Sequence, residues 1–174
     1  MATGTKKPIA VQDRAYSDFH DHLAALEKAG LLQVIDAEVN KDTQLHPLVR
    51  WQFRGGIAEE DRTAFKFTNV VDSKGRKYDM PVVVSALSTN AAMYSIGMGV
   101  PVDEIGARWN HAIANPIAPR TVEIAPCHDI VLTGDDLVGE GKGLDALPVP
   151  ISTPGYDCAP YLTATNVTTR NPET

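Results

Sequence analysis

The sequence predicts an α+β fold, a small mixed sheet with helices packed on it. Three observations predict it. Phe19, Leu23 and Leu26 recur at i, i+4 and i+7, the spacing of one helix face. Ala64-Phe-Lys-Phe-Thr-Asn-Val70 alternates apolar and polar residues, the period of a half-buried strand. Met80-Pro-Val-Val-Val-Ser-Ala-Leu87 is a nearly continuous apolar run, which fits a central strand. Helical and strand patterns interleave without the strict βαβ rhythm of a doubly wound sheet.

The elements follow in order. Ser17 is placed to cap a helix running to Ala29, and Gly30 falls at C′, where φ > 0 costs it little. Leu31 to Asp36 is a short strand. Asp42 or Thr43 starts a second helix with Leu45, Leu48, Val49 and Phe53 inward, ended by Gly55-Gly56. Asp72-Ser-Lys-Gly-Arg-Lys77 is an exposed connection turning at Gly75. Pro81 belongs at the first position of its strand. Asn90 caps a short helix from Ala91 to Ile96, ended by Gly97 and Gly99. Asp103 caps another, with Ile105, Trp109 and Ile113 on one stripe, ending before Asn115-Pro116. Arg120 to Ala125 and His128 to Thr133 read as two short strands. Leu144 to Leu147 is about one helical turn.

Composition bounds the function. The 174 residues suit one domain, or one and the start of another. They are 43% hydrophobic and 22% charged, ordinary for a globular chain. The net charge of −6 argues against a nucleic-acid partner, because phosphate binding needs a basic face. No apolar run approaches the roughly 20 residues that cross a bilayer, so no membrane partner is expected. Residues 1–15 read as a flexible leader without a signal-peptide core, which places the chain in the cytoplasm. Two cysteines, Cys127 and Cys158, fit a reducing compartment.

Several residues could carry chemistry, and each has a plainer reading. His20 and His22 are two apart on a helix, so their side chains diverge and cannot share an ion; a solvated helix face is favoured. His46 and His111 are read as structural. Cys127-His128 has no second ligand pair at zinc spacing, and a small buried thiol is favoured. Asp135-Asp136 and Glu59-Glu-Asp61 are read as solvated charge, since the EF-hand spacing is absent. Gly97-Met-Gly99 and Gly139-Glu-Gly-Lys-Gly143 match neither a dinucleotide fingerprint nor a phosphate loop and are read as turns.

The last stretch is the most informative. Four prolines between Pro148 and Pro160 hold the backbone extended. Tyr161 to Thr169 then reads as a strand, rich in β-branched residues. Tyr161, Thr163, Thr165, Val167 and Thr169 share one face. The hydroxyls of Thr163 and Thr165 can bond a cofactor or a neighbouring strand. Arg170-Asn-Pro-Glu-Thr174 is turn chemistry, and no return strand follows.

Leu147-Pro-Val-Pro150, Pro160-Tyr-Leu-Thr-Ala164 and Thr169-Arg-Asn-Pro-Glu-Thr174 together resemble the junction found in UbiD-type decarboxylases, which use prenylated flavin mononucleotide. The opening is similar too: a helix ending Leu26-Glu-Lys-Ala-Gly30, a strand with Val34-Ile-Asp36, an Arg-containing helix, then Gly55-Gly56. The resemblance covers nearly the whole chain and implies the N-terminal portion of a longer enzyme. It implies an N-terminal α+β domain over residues 16–120. Residues 121–174 would then hold the first strands of a split β-barrel flavin-binding domain, truncated here. Thr163 matches a family position lying against the flavin; Thr165 stands where many relatives have glycine.

No catalytic residue and no metal ligand can be assigned in this chain, because the family's metal ligands and its Glu-Arg-Glu network lie further on. The implied parent is a reversible carboxy-lyase of aromatic or α,β-unsaturated carboxylic acids. Its cofactors would be prenylated FMN, Mn²⁺ and K⁺, with the flavin supplied by a prenyltransferase and the enzyme a homo-oligomer. The fragment alone is expected to be inactive. Two alternatives stand beside this. One is a non-catalytic subunit or binding module that completes its sheet on a partner chain. The other is a plain flavin-binding protein.

Overall fold

The computed structural model describes residues 18–118, 121, 123–124 and 129–151. Among these residues there are four α-helices: α1 (Phe19–Lys28), α2 (Leu45–Arg54), α3 (Ala91–Met98) and α4 (Ile105–Ala114). Six short strands accompany them: β1 (Leu32–Ile35), β2 (Val39–Asn40), β3 (Ala64–Phe67), β4 (Val70–Val71), β5 (Lys77–Tyr78) and β6 (Val82–Val84). The strands form two three-stranded sheets, ordered β1-β3-β6 and β2-β4-β5. The Ala64 N–H bonds the Leu31 carbonyl and the Thr68 N–H that of Ile35, so the bonds advance in step along a parallel β1–β3 pair. In the second sheet β2 pairs parallel to β4, Val39 opposite Val70, and β4 pairs antiparallel to β5, Val70 opposite Tyr78. The α+β expectation holds.

The chain divides into two compact units. Of the described residues, 18–34, 55–66 and 83–129 fall in one; 35–54, 67–82 and 130–151 fall in the other. In the first unit α1 packs on α3 and α3 on α4. Its core is Leu23, Leu26, Ala64, Ala86 and Met93, with Leu31, Leu32, Val83 and Ile96 packed against it. The buried apolar side chains of the second unit include Val39, Leu45, Val49, Phe67, Val70 and Tyr78.

Local chemistry explains the ends of the helices. The cap of α1 is Asp18, whose carboxylate accepts the Asp21 N–H at 3.0 Å; the predicted cap, Ser17, lies outside the described residues. Gly30 follows the helix with φ 73°, as its C′ placement requires. At α2 the expected cap is corrected. Asn40, not Asp42 or Thr43, turns the chain, its Oδ1 accepting the N–H groups of both. Asp42 instead bonds the Ser73 N–H at 3.0 Å and the Lys41 ammonium at 2.5 Å. Asn90 caps α3 as expected, its Oδ1 accepting the Met93 N–H at 2.9 Å. A short 3₁₀ turn, Val102–Glu104, leads into α4, so Asp103 makes no side-chain cap.

Three further expectations are corrected. The run Met80 to Leu87 yields only three strand residues, because Ser85 takes φ 66° and turns the chain; β6 is also an edge strand, with β3 central. On α2, Leu45 and Val49 are buried, but Leu48 and Phe53 are largely exposed while Gln52 is buried. On α4 no residue is buried, and Trp109 and Ile113 of the expected core stripe are 60% and 66% exposed. Of the two strands expected over 120–125 and 128–133, the described residues 121, 123–124 and 129–133 are not paired as strand, and the rest lie outside the described residues.

The core assignment is testable. Leu26→Ala should lower the unfolding free energy by about 2–5 kcal/mol. Trp109→Ala on the exposed face should change it by less than about 0.5 kcal/mol. Urea denaturation of both variants checks the contrast.

Candidate functional site

A connected cluster of charged groups lies in the second unit, at the turn between β4 and β5. Asp72 closes that turn. Its Oδ1 accepts the N–H groups of Lys74 and Arg76, both at 2.9 Å, and its Oδ2 accepts the Tyr78 hydroxyl at 3.2 Å. Backbone bonds from Asp72 N to the Arg76 carbonyl and from Gly75 N to the Asp72 carbonyl complete the loop. The sequence Asp-x-x-Gly favours this geometry: a carboxylate caps the next N–H groups, and Gly75 takes φ 84°. The turn at Gly75 is as predicted, but Asp72 is 6% exposed rather than solvated.

Arg76 carries the network outward. Its Nε lies 3.5 Å from Asp72 Oδ2, within ion-pair reach but outside hydrogen-bonding geometry. Both terminal nitrogens donate to one oxygen of Asp145 at 3.0 Å, and one of them also reaches the Asp145 carbonyl at 2.9 Å. The Gly141 N–H donates to the same carboxylate oxygen at 2.7 Å. The Arg76 guanidinium lies 5.1 Å from the centre of the Tyr78 ring, and the Lys41 ammonium 5.9 Å, both within cation–π range.

Electrostatics follow from this wiring. Burial alone would raise the Asp72 carboxyl, but the N–H groups of Arg76 and Lys74, the Tyr78 hydroxyl and the Arg76 charge outweigh it and hold it below its usual value. The Gly141 N–H and then Arg76 hold Asp145 low as well. Burial, reinforced by Asp72, raises the Tyr78 phenol. Each charge is matched by a partner of opposite sign or by donors, so the cluster is a structural node.

The remaining candidates are dispersed. His20 is exposed, 3.9 Å from Asp18, whereas His22 is 1% exposed with Nε2 2.8 Å from the Ala86 carbonyl. The two diverge as the spacing demanded, but the solvated reading is wrong for His22: it sits in the first unit's interior. His46 is half-buried on α2, and His111 pairs with Asn115 at the end of α4. The Glu59 carboxylate accepts the Ala91 N–H at 3.1 Å, so one member of the acidic cluster caps α3. Asp135 and Asp136 are exposed. Gly99 ends α3 with φ 64°, and Gly139, Gly141 and Gly143 all take positive φ in turns. At Gly143 a Cβ would stand 2.8 Å from the Leu137 carbonyl oxygen. Among the described residues, no group of three or more His, Cys, Asp or Glu side chains could hold a metal ion. In the same residues no helix is long and apolar enough to cross a membrane. Cys127, His128, Cys158, Thr163 and Thr165 lie outside the described residues.

Comparison with known proteins shows what the chain is similar to. No family model matches the sequence. The chain is 30% identical over 134 residues to the gallate decarboxylase of Lactiplantibacillus plantarum, a span of 74% of this chain and 26% of that protein. It superposes on the UbiD-class enzyme HmfF of Pelotomaculum thermopropionicum in complex with FMN, with a TM-score of 0.62 and 26% identity. An evolved dimeric form of HmfF in complex with prenylated FMN gives a TM-score of 0.64 and 25% identity. Each superposition covers 83% of this chain, but only 29% and 30% of those chains. The likeness to the UbiD family read from the sequence is thereby shown, over less than a third of the length of those relatives.

The Asp72 node has a definite acid response. A carboxylate whose native pKa lies below its unfolded value, about 3.9, stabilises fully above that value. Its contribution is lost as pH falls through the lower native one. The melting temperature should therefore fall steeply below about pH 4 in the parent protein and less steeply in Asp72→Asn. Thermal melts between about pH 3 and 6 read the difference.

Proposed function

We propose that this chain is the N-terminal part of a prenylated-flavin-dependent, reversible decarboxylase of aromatic or α,β-unsaturated carboxylic acids. The observation that supports this most is the likeness to gallate decarboxylase and to HmfF, which runs through most of the chain. In this reading residues 16–120 form the N-terminal domain, behind a leader of 1–15. Residues 121–174 begin a split-barrel flavin domain. The exposed apolar side of α4, with Trp109 and Ile113, fits the same reading, since a longer polypeptide would offer surface to cover it.

Thr163 is the residue of this chain proposed to meet the cofactor, its hydroxyl bonding a polar flavin atom. The flavin, when bound with Mn²⁺ and K⁺, supplies the electron sink for loss of carbon dioxide. The described residues contribute scaffold rather than proton transfer: their perturbed carboxylates, Asp72 and Asp145, are committed to Arg76 and backbone donors. The catalytic acids, the metal ligands and the main oligomeric contacts belong to the part of such enzymes that this chain does not span. The parent enzyme is read as a cytoplasmic homo-oligomer that receives its flavin from a prenyltransferase.

Two measurements test this. The chain expressed alone, supplied with prenylated FMN and Mn²⁺, should bind no stoichiometric flavin and release no carbon dioxide from gallate or an α,β-unsaturated acid. Turnover by the chain alone would refute the fragment reading. In the longer protein encoded by the same reading frame, Thr163→Val should weaken flavin binding by roughly fivefold, the worth of one hydrogen bond. Unchanged flavin affinity by fluorescence titration would remove Thr163 from the site.

A further inference from the structure

Residues 134–146 form a strap of two 3₁₀ turns, Gly134–Leu137 and Gly143–Ala146. The backbone bonds of these turns are local: Asp136 N–H to the Thr133 carbonyl, Lys142 to Gly139, Asp145 to Lys142. Lys142 Nζ reaches the Asp135 carbonyl, again within the strap. Among the described residues, the hydrogen bonds that leave the strap for a distant part of the chain are those of Arg76 to Asp145. Beyond the strap, Pro148 is buried and Leu147 and Val149 are half-buried, so the chain is anchored again where the strap ends. The apolar side chains Leu137, Val138 and Leu144 of the strap itself face solvent. Apolar packing therefore does little to hold residues 134–146, and a polar contact does it instead.

We propose that Arg76 and Asp145 form a clasp that holds this strap closed, and that the strap opens as a unit when the clasp is broken. The hairpin that carries Arg76 does not open with it. Three donors converge on one Asp145 oxygen, two from Arg76 and one from Gly141, so a single carboxylate closes the strap on itself and on the hairpin at once. The hairpin keeps its own closure, because Asp72 and Tyr78 bond each other and the turn backbone whatever Asp145 does. The guanidinium is pre-oriented by that buried carboxylate, so little side-chain freedom is lost when Asp145 docks. Opening is local, a low-energy fluctuation of one segment rather than global unfolding. This inference rests on the geometry of the second unit and is independent of the decarboxylase reading.

Lys142 lies in the strap and makes it readable by trypsin. Asp145→Asn and Arg76→Lys should each speed cleavage after Lys142 roughly fivefold under native conditions, followed by intact mass. Hydrogen exchange should rise across 134–146 in Asp145→Asn while the amides of Lys74 and Arg76 keep their protection. Cleavage at the wild-type rate in both variants would overturn the clasp. Loss of protection at Lys74 and Arg76 together with the strap would overturn its independence from the hairpin.

Discussion

A carboxylate buried in a short hairpin must have its lone pairs filled, or the hairpin does not form. Asp72 meets that demand with two backbone N–H groups and a phenol. The second sheet depends on it, because β4 and β5 are two residues each and their ladder alone is marginal. The same carboxylate sets the direction of Arg76, and Arg76 in turn reaches Asp145, far along the chain. One buried charge thus organises a turn, a guanidinium and a strap. The arrangement is a node of fixed partners.

The first unit is held differently. Its core is small and apolar, Leu23, Leu26, Ala64, Ala86 and Met93, and several of its polar contacts serve helix starts. Asn90 joins two jobs, accepting the Met93 N–H to start α3 and donating to the Arg62 carbonyl. The turn before it is tight: Ser85 takes a left-handed φ, and the Thr89 hydroxyl bonds its carbonyl. His22 belongs to this group, a polar side chain accepted in the interior against the Ala86 carbonyl.

Much of this was legible in the sequence because it is governed by neighbours along the chain. Leu23 and Leu26 of the α1 stripe (its third member, Phe19, is exposed), the glycine after α1, the Asn90 cap, the strand at Ala64 and the turn at Gly75 each depend on residues a few positions apart. Solvation was less legible. Leu48 and Leu45 share a composition and nearly a position, yet one is exposed and the other buried, because packing partners lie elsewhere in the sequence. The stripe on α4 had the right period for a core face, but period reports which residues share a face and not what lies against it. The Asn40 turn was missed since Asp42 is an equally good cap by type; its carboxylate was taken by Ser73 and Lys41 instead.

By itself the sequence determined the α+β class, the main helices and turns, and the resemblance to UbiD-type enzymes, all of which rest on local spacing and residue order. Only the tertiary structure decided that Asp72 is buried, that His22 faces inward, that Glu59 caps a helix, and that Arg76 meets Asp145. The physical reason is one of range. Propensity, capping and periodicity act within a few residues. Burial and ion pairing act between residues that the chain brings together only after it has folded.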